Sequence, residues 1–138
     1  MTRVLGIDPG AVRCGIAITD SSMSMAFPRP ALWNNETLIN ALRLLVEEES
    51  VGTLVVGRPV ALSGNETSST TQADALYEQL LEVFSDLKVT QWDERLTTVE
   101  AQRSLAKAGI RAKNQRDHVD SAAAVIMLQN YVDGHNAS

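Results

Sequence analysis

Asp8 closes a short apolar run, Val4 to Ile7, at a point where a purely structural residue would be apolar. An aspartate there either bonds to nearby turn amides or is displayed as a ligand at a sheet edge. Glu94 repeats the pattern just after a later run, Lys88 to Trp92. Its structural alternative is a carboxylate that suits the dipole of a following helix. Asp117 and Asp120 are spaced i, i+3 near the start of a last helical pattern, and two like charges that close are mildly destabilising unless something positive neutralises them. Carboxylates from two strand ends and one helix start converge only if the fold brings those ends together. If it does, hard divalent cations with oxygen ligands, Mg²⁺ or Mn²⁺, are the natural partners. Two such ions activate a water and stabilise the leaving oxygen of a phosphodiester, chemistry that needs no histidine or cysteine.

Basic residues near these acids are candidates for phosphate contact. Arg13 and Arg95 flank the two strand-end acids, with ion pairing to those acids or their neighbours as the alternative. Arg58 follows a buried strand, and Lys113 and Arg116 end a stretch, Gln102 to Arg116, that holds five bases and no acid. A charge run of this kind is usually a solvated face, but this one ends directly on Asp117. From Glu36 to Asp86 the balance is reversed, with nine acids against Arg43 and Arg58. The whole chain has 12 basic and 17 acidic residues, a net charge of −5 that is unusual for a constitutive nucleic-acid binder. His118 falls about 100° around the helix from Asp117 and reads as exposed. Cys14 reads as strand packing, and Trp92 as packing against a helix in preference to stacking on a base. The loop from Arg58 to Ser69 is too polar for core, and its amides around Gly64 could cradle a phosphate.

The elements that must position these groups follow from apolar periodicity. Val4 to Ile7 and Gly15 to Thr19 read as a hairpin, and Ser24 to Trp33 as a third strand that Pro28 and Pro30 confine to an edge. Asn34 or Asn35 caps a helix with Leu38, Leu42, Leu45 and Val46 on one face. Thr53 to Val56 is continuous, as in a strand buried on both faces. A second helix runs from about Thr71 with Ala75, Leu76, Leu80, Val83 and Phe84 inward, and Lys88 to Trp92 is the last strand. Thr97 to Glu100 has capping-box spacing for a third helix ending at Gly109, and Asp117 to Tyr131 is the fourth. The order β-β-β-α-β-α-β-α-α predicts one α/β domain, a mixed five-stranded sheet with helices on its faces. Residues 1–133 form that domain and 134–138, with His135, a polar tail.

Three stretches carry a resemblance. Gly6-Ile7-Asp8-Pro9-Gly10 with Arg13 and Gly15, then Asp93-Glu94-Arg95-Leu96-Thr97-Thr98, then Val119-Asp120-Ser121-Ala122-Ala123 with Leu128-Gln129 and Tyr131, resemble the YqgF family. This RuvX-type group is described as Holliday junction resolvases and as nucleases of pre-16S ribosomal RNA. The resemblance spans nearly the whole chain and implies a ribonuclease H-like fold. It assigns Asp8, Glu94 and Asp120 to an acidic catalytic triad that holds the metal, with Asp117 as an extra acid. Val12 stands where the family often has lysine, and Arg58 where it usually has an apolar residue.

The expected activity is therefore metal-dependent phosphodiester hydrolysis, in maturation of pre-16S ribosomal RNA ahead of junction DNA, which would need a symmetric dimer. Structured RNA or branched DNA is the expected partner, the ribosome a further one, and the chain a monomer or weak homodimer. A non-catalytic ribosome- or transcription-associated factor would leave the carboxylates dispensable. A sugar-kinase or actin-like hydrolase would need a second such domain, which 138 residues cannot supply. One cysteine, no signal-peptide pattern and no span-length apolar run make the cytoplasm the expected location and a membrane role unexpected.

Overall fold

A computed structural model describes residues 2–60, 63–96 and 121–136. Asp117, His118, Asp120, Lys113, Arg116 and the expected third helix lie outside these residues. Strands β1 (Arg3–Asp8) and β2 (Arg13–Thr19) form the expected hairpin, with Leu5 opposite Ile18 and Asp8 opposite Gly15. Strand β3 (Ala26–Trp33) pairs with β2 and lies at the sheet edge, where Pro28 and Pro30 cost no ladder hydrogen bond to a further strand. Helix α1 (Leu38–Glu48) then leads into β4 (Val51–Arg58), helix α2 (Ser68–Val83) into β5 (Lys88–Asp93), and a single 3₁₀ turn, Glu94–Leu96, follows. Helix α3 (Ala122–Asn136) is the last element.

The sheet order is β3-β2-β1-β4-β5, with β1, β4 and β5 mutually parallel. Their carboxyl ends therefore lie along one sheet edge. Period two divides the strand residues between two faces. Leu5, Ile7, Leu54 and Val56 pack against Leu38 and Leu42 of α1 and Leu76 and Leu80 of α2. Val4, Ala17 and Val55 pack on the other side against Val125, Leu128 and Tyr131 of α3. Leu54, Val55 and Val56 are fully buried because helices cover both faces, which is why their run is continuous.

Three local expectations need correction. Helix α2 begins at Ser68 rather than Thr71, because Thr67 and Thr70 cap each other reciprocally and Thr70 Oγ1 also donates to the Pro59 carbonyl. That register buries Ala73 and leaves Ala75 exposed. Asn35 does not cap α1; its Oδ1 accepts from the Thr37 amide and hydroxyl and organises the turn before the helix. The last helix continues through Asn136, so residues 134–136 belong to it rather than to a tail.

Helix α3 is fastened to the sheet by buried polar groups as well as apolar ones. Ser121 Oγ accepts from the Ile16 amide at 3.0 Å and donates to the Arg29 carbonyl at 2.6 Å, filling the irregularity where the β2–β3 register shifts. Gln129 Oε1 accepts from the Ala26 amide and its Nε2 donates to the Ser24 carbonyl. Ser121→Ala strands one buried donor and one acceptor at once, each worth roughly 1–3 kcal/mol. It is therefore expected to lower the free energy of urea unfolding by about 2–3 kcal/mol, whereas substitution at the exposed Ala123 leaves it nearly unchanged.

Candidate active site

Alternation along the strands decides which strand-end groups meet. On β1, Val4, Gly6 and Asp8 share the face toward α3. Gly6 lets that helix come close, since a Cβ there would stand 3.1 Å from the Leu128 Cβ. On β4, Val55 and Gly57 take the same face, and on β5 Trp92 does, its ring meeting Tyr131 edge-on at 6.1 Å. Trp92 thus packs against a helix. Glu94, one residue past β5, comes back over this face.

Strand β4 separates Glu94 from Asp8. The Glu94 carboxylate crosses it because residue 57 has no side chain. A Cβ at Gly57 would lie 3.1 Å from Glu94 Oε2 and 2.9 Å from Met127 Sδ. The glutamate thereby reaches Asp8, close enough for the two carboxyls to share a hydrogen bond when one of them holds a proton. With both ionised neither can donate, and Glu94 Oε2 is then buried without a hydrogen-bond donor among the described residues. Burial pushes both carboxyls above their ordinary range, and the adjacent Asp8 charge pushes Glu94 further, to about 8. The sequence-predicted pair is thus brought together. Among the described residues no third histidine, cysteine or acid joins it.

This pair suits a hard divalent cation. It offers oxygen donors only, its members repel, and one oxygen is buried with no donor among the described residues. Cys14 is fully buried in the opposite core, where burial raises its thiol and leaves it inert.

The expected phosphate-binding arginines are engaged locally. Arg58 lies on the α2 face and binds Asp74 through Nε at 2.9 Å and Nη2 at 3.2 Å, and Glu66 through Nη2 at 2.9 Å. Gln91 of β5 donates to the same Asp74, so one carboxylate ties β4, β5 and α2 together. Arg95 folds back on Asp93 at 2.6 Å and holds that carboxyl below its usual range. Arg13 lies over the Trp33 ring, 5.6 Å from its centroid. Gly64 takes a positive φ of 89° beside the Arg95 guanidinium, which places the loop against the end of β5.

Two residues of this arrangement had no assigned role in the sequence reading. Ser121 stands in one of the motifs without a function, and Gly57 falls between the apolar run Thr53 to Val56 and the loop from Arg58. The available signal for Gly57 was a glycine ending a buried strand at the edge that also carries Asp8 and Glu94.

A model of the RuvX family, described as Holliday junction resolvase, matches residues 2–134. A Mycolicibacterium paratuberculosis protein named "Putative pre-16S rRNA nuclease" is 41% identical over 138 residues, 99% of this chain and 83% of its own length. A Brucella canis protein of the same name is 35% identical over 132 residues, 94% of this chain and 81% of its own. Among solved structures, Thermus thermophilus RuvC in complex with Holliday junction substrate superposes with a TM-score of 0.61 at 14% identity, covering 100% of this chain and 98% of that one. The expected ribonuclease H-like architecture is present.

Two measurements test the pair. Glu94 ordinarily titrates near 4.5 and here near 8, so the folded protein keeps a proton that the unfolded chain releases. Metal-free stability contributed by this group is present below 4.5 and is lost as pH rises through 8. Glu94→Gln, with nothing to titrate, is expected to melt a few degrees above wild type at pH 9 and level with it at pH 4, and Mn²⁺ is expected to restore wild type at high pH. Separately, Gly57→Ala shifts the glutamate by a few tenths of an ångström. By isothermal calorimetry it is expected to weaken Mn²⁺ binding roughly tenfold, with partial recovery when Glu94→Asp shortens the displaced side chain.

Proposed function

The chain belongs to the RuvX family, and on that premise we propose that it is a nuclease of precursor 16S ribosomal RNA, hydrolysing phosphodiesters at Asp8 and Glu94 with Mg²⁺ or Mn²⁺. The observation that carries this reading is the buried pair over Gly57, with Oε2 of Glu94 lacking a donor among the described residues. Asp8 and Glu94 would hold the cation, Asp120 would complete the triad, and Asp117 would be an extra ligand. A divalent cation bound there lowers the pKa of a water and stabilises the leaving oxygen.

The chain's own residues set the conditions for that chemistry. Burial of the pair by α3 makes the ionised state costly without a cation, so metal loading and loss of the shared proton are one event. Met127 of α3 and Glu94 both lie against Gly57, so the helix covers the glutamate on that side. Arg13, Arg58 and Arg95 lie around the same sheet edge, and with Lys113 and Arg116 they are the proposed backbone contacts. Arg58 and Arg95 would exchange carboxylate partners for phosphates on binding, which makes affinity strongly salt-dependent. Net charge −5 favours a target presented within a larger assembly such as the ribosome, with the protein acting in the cytoplasm as a monomer or weak homodimer.

The family description and the likeness to a junction-bound RuvC favour a second reading, cleavage of branched DNA. One experiment separates them. Wild type and Asp8→Asn are incubated with a precursor 16S fragment and with a four-way DNA junction, in Mg²⁺, Mn²⁺ or chelator. Wild type is expected to cut the RNA, with activity at least about a hundredfold lower in Asp8→Asn and none in chelator. Cutting of the junction alone selects the second reading. Equal activity of the two proteins removes Asp8 from the mechanism.

A further inference from the structure

Around the corner of the sheet from the carboxylates is an open groove of about 380 Å³. Its floor is Pro9 and Ala11, in the turn that directly follows Asp8. One wall is a stripe of α2, Gln72, Ala75, Leu76 and Gln79, and Asn34 at the end of β3 forms the rim. The volume falls within the range of small-molecule sites. None of the lining residues is ionisable, although the chain carries 12 basic and 17 acidic residues. The remainder of α2 bears Glu78 and Glu82, and Asp74 already bonded to Arg58, with no base of its own, so the groove wall offers a phosphate no cationic partner.

What the groove offers instead is apolar floor and carboxamides. Gln72 and Gln79 are exposed at i and i+7, and their side-chain carboxamides make no hydrogen bond to any described residue. Asn34 is fixed in place, its amide nitrogen donating to the Val12 carbonyl and its Nδ2 to the Gly10 carbonyl, so its Oδ1 remains as an acceptor. Ala75, exposed against the helical periodicity expected of it, leaves room where a longer side chain would fill the groove. Carboxamides both donate and accept, which matches the edges of nucleobases, and flat rings lie well on small apolar residues.

We propose that this groove binds an unpaired nucleobase of the strand being cut, next to the phosphate held at Asp8 and Glu94. The proposal rests on the nuclease reading and deepens it. The chain from Asp8 to Ala11 spans both places, so a strand crossing the sheet edge can present a phosphate to one side and its neighbouring base to the other. Recognition there is neutral and edge-directed, and it selects single-stranded over fully paired substrate, because a paired base cannot enter.

The test needs neither metal nor cleavage. Side-chain amide signals of Asn34, Gln72 and Gln79 are followed by NMR while the four ribonucleoside 5′-monophosphates, and separately ribose 5-phosphate, are titrated into wild type, Asp8→Asn and Gln72→Ala/Gln79→Ala. Saturable shifts of these amides with nucleotides but not with ribose 5-phosphate, at least tenfold weaker in the double variant, are expected. Asp8→Asn is expected to respond as wild type does, so failure of the nuclease reading and failure of the groove are read separately. Equal shifts with ribose 5-phosphate, no amide shift with any base, or unchanged affinity in the double variant would overturn the proposal.

Discussion

Two carboxylates that repel each other are held together at one buried edge of this sheet, and the surrounding structure is arranged to keep them there. Parallel β1, β4 and β5 end along one edge, with Val56 of β4 opposite Ile7 and Gly57 opposite Trp92, and Glu94, one residue past β5, turns back across β4 toward Asp8. Gly57 removes the obstacle on β4, and Gly6 lets α3 press onto β1 and close the site from above. Ser121 and Gln129 then fix that helix to β2 and β3 through buried hydrogen bonds. A cost is built in. Burial that a purely structural pair would relieve by moving to solvent is retained, and at neutral pH it is relieved by a proton. On the proposed reading, stability and metal loading would be linked through the same pair of carboxylates.

The two faces of the sheet divide the electrostatics. Toward α3, Asp8 and Glu94 are paired with each other and with no base among the described residues. Toward α2, Arg58, Asp74, Gln91 and Glu66 form a closed chain of charge-assisted bonds, and Arg95 and Asp93 form another beside it. These exposed pairs contribute little stability singly. Their geometric effect is larger, since they join the ends of β4 and β5 to α2 and to the segment before it, and so fix the edge on which Glu94 sits. Balanced arginines also explain why a protein of net charge −5 can have cations around its site without a standing attraction for every polyanion.

Much of this was legible in the sequence because it depends on short-range pattern. The apolar runs gave the strands, Pro28 and Pro30 put β3 at an edge, and the continuous Leu54-Val55-Val56 required cover on both faces. Asp8 and Glu94 stood out as charges at the ends of buried strands, where the core has no use for them. The rest depends on groups far apart in the chain. Where α2 begins is settled by Thr70 bonding to Pro59, and that register exchanges Ala75 for Ala73 in the core. The partners of Arg58 are Glu66, 8 residues on, and Asp74 of α2, 16 residues on, and no local rule names them. Gly57 reads as a turn former until β4 is known to lie between two acids.

That glycine shows why composition alone understates the site. A functional carboxylate is usually sought by its neighbours in sequence, yet the position of Glu94 is decided by an absent side chain on the adjacent strand β4, one strand nearer the middle of the sheet than β5, which ends at Asp93. Any Cβ at residue 57 meets both Glu94 and Met127, so the helix cannot yield to one without disturbing the other. The same reasoning applies along the edge. The turn after Asp8 is pinned by Asn34 through two hydrogen bonds, so the aspartate is held by β1 on one side and by a fastened turn on the other. Rigidity on both sides of Asp8 is what lets a repulsive pair keep one geometry, and a fixed geometry is the condition for a cation to find its ligands already in place.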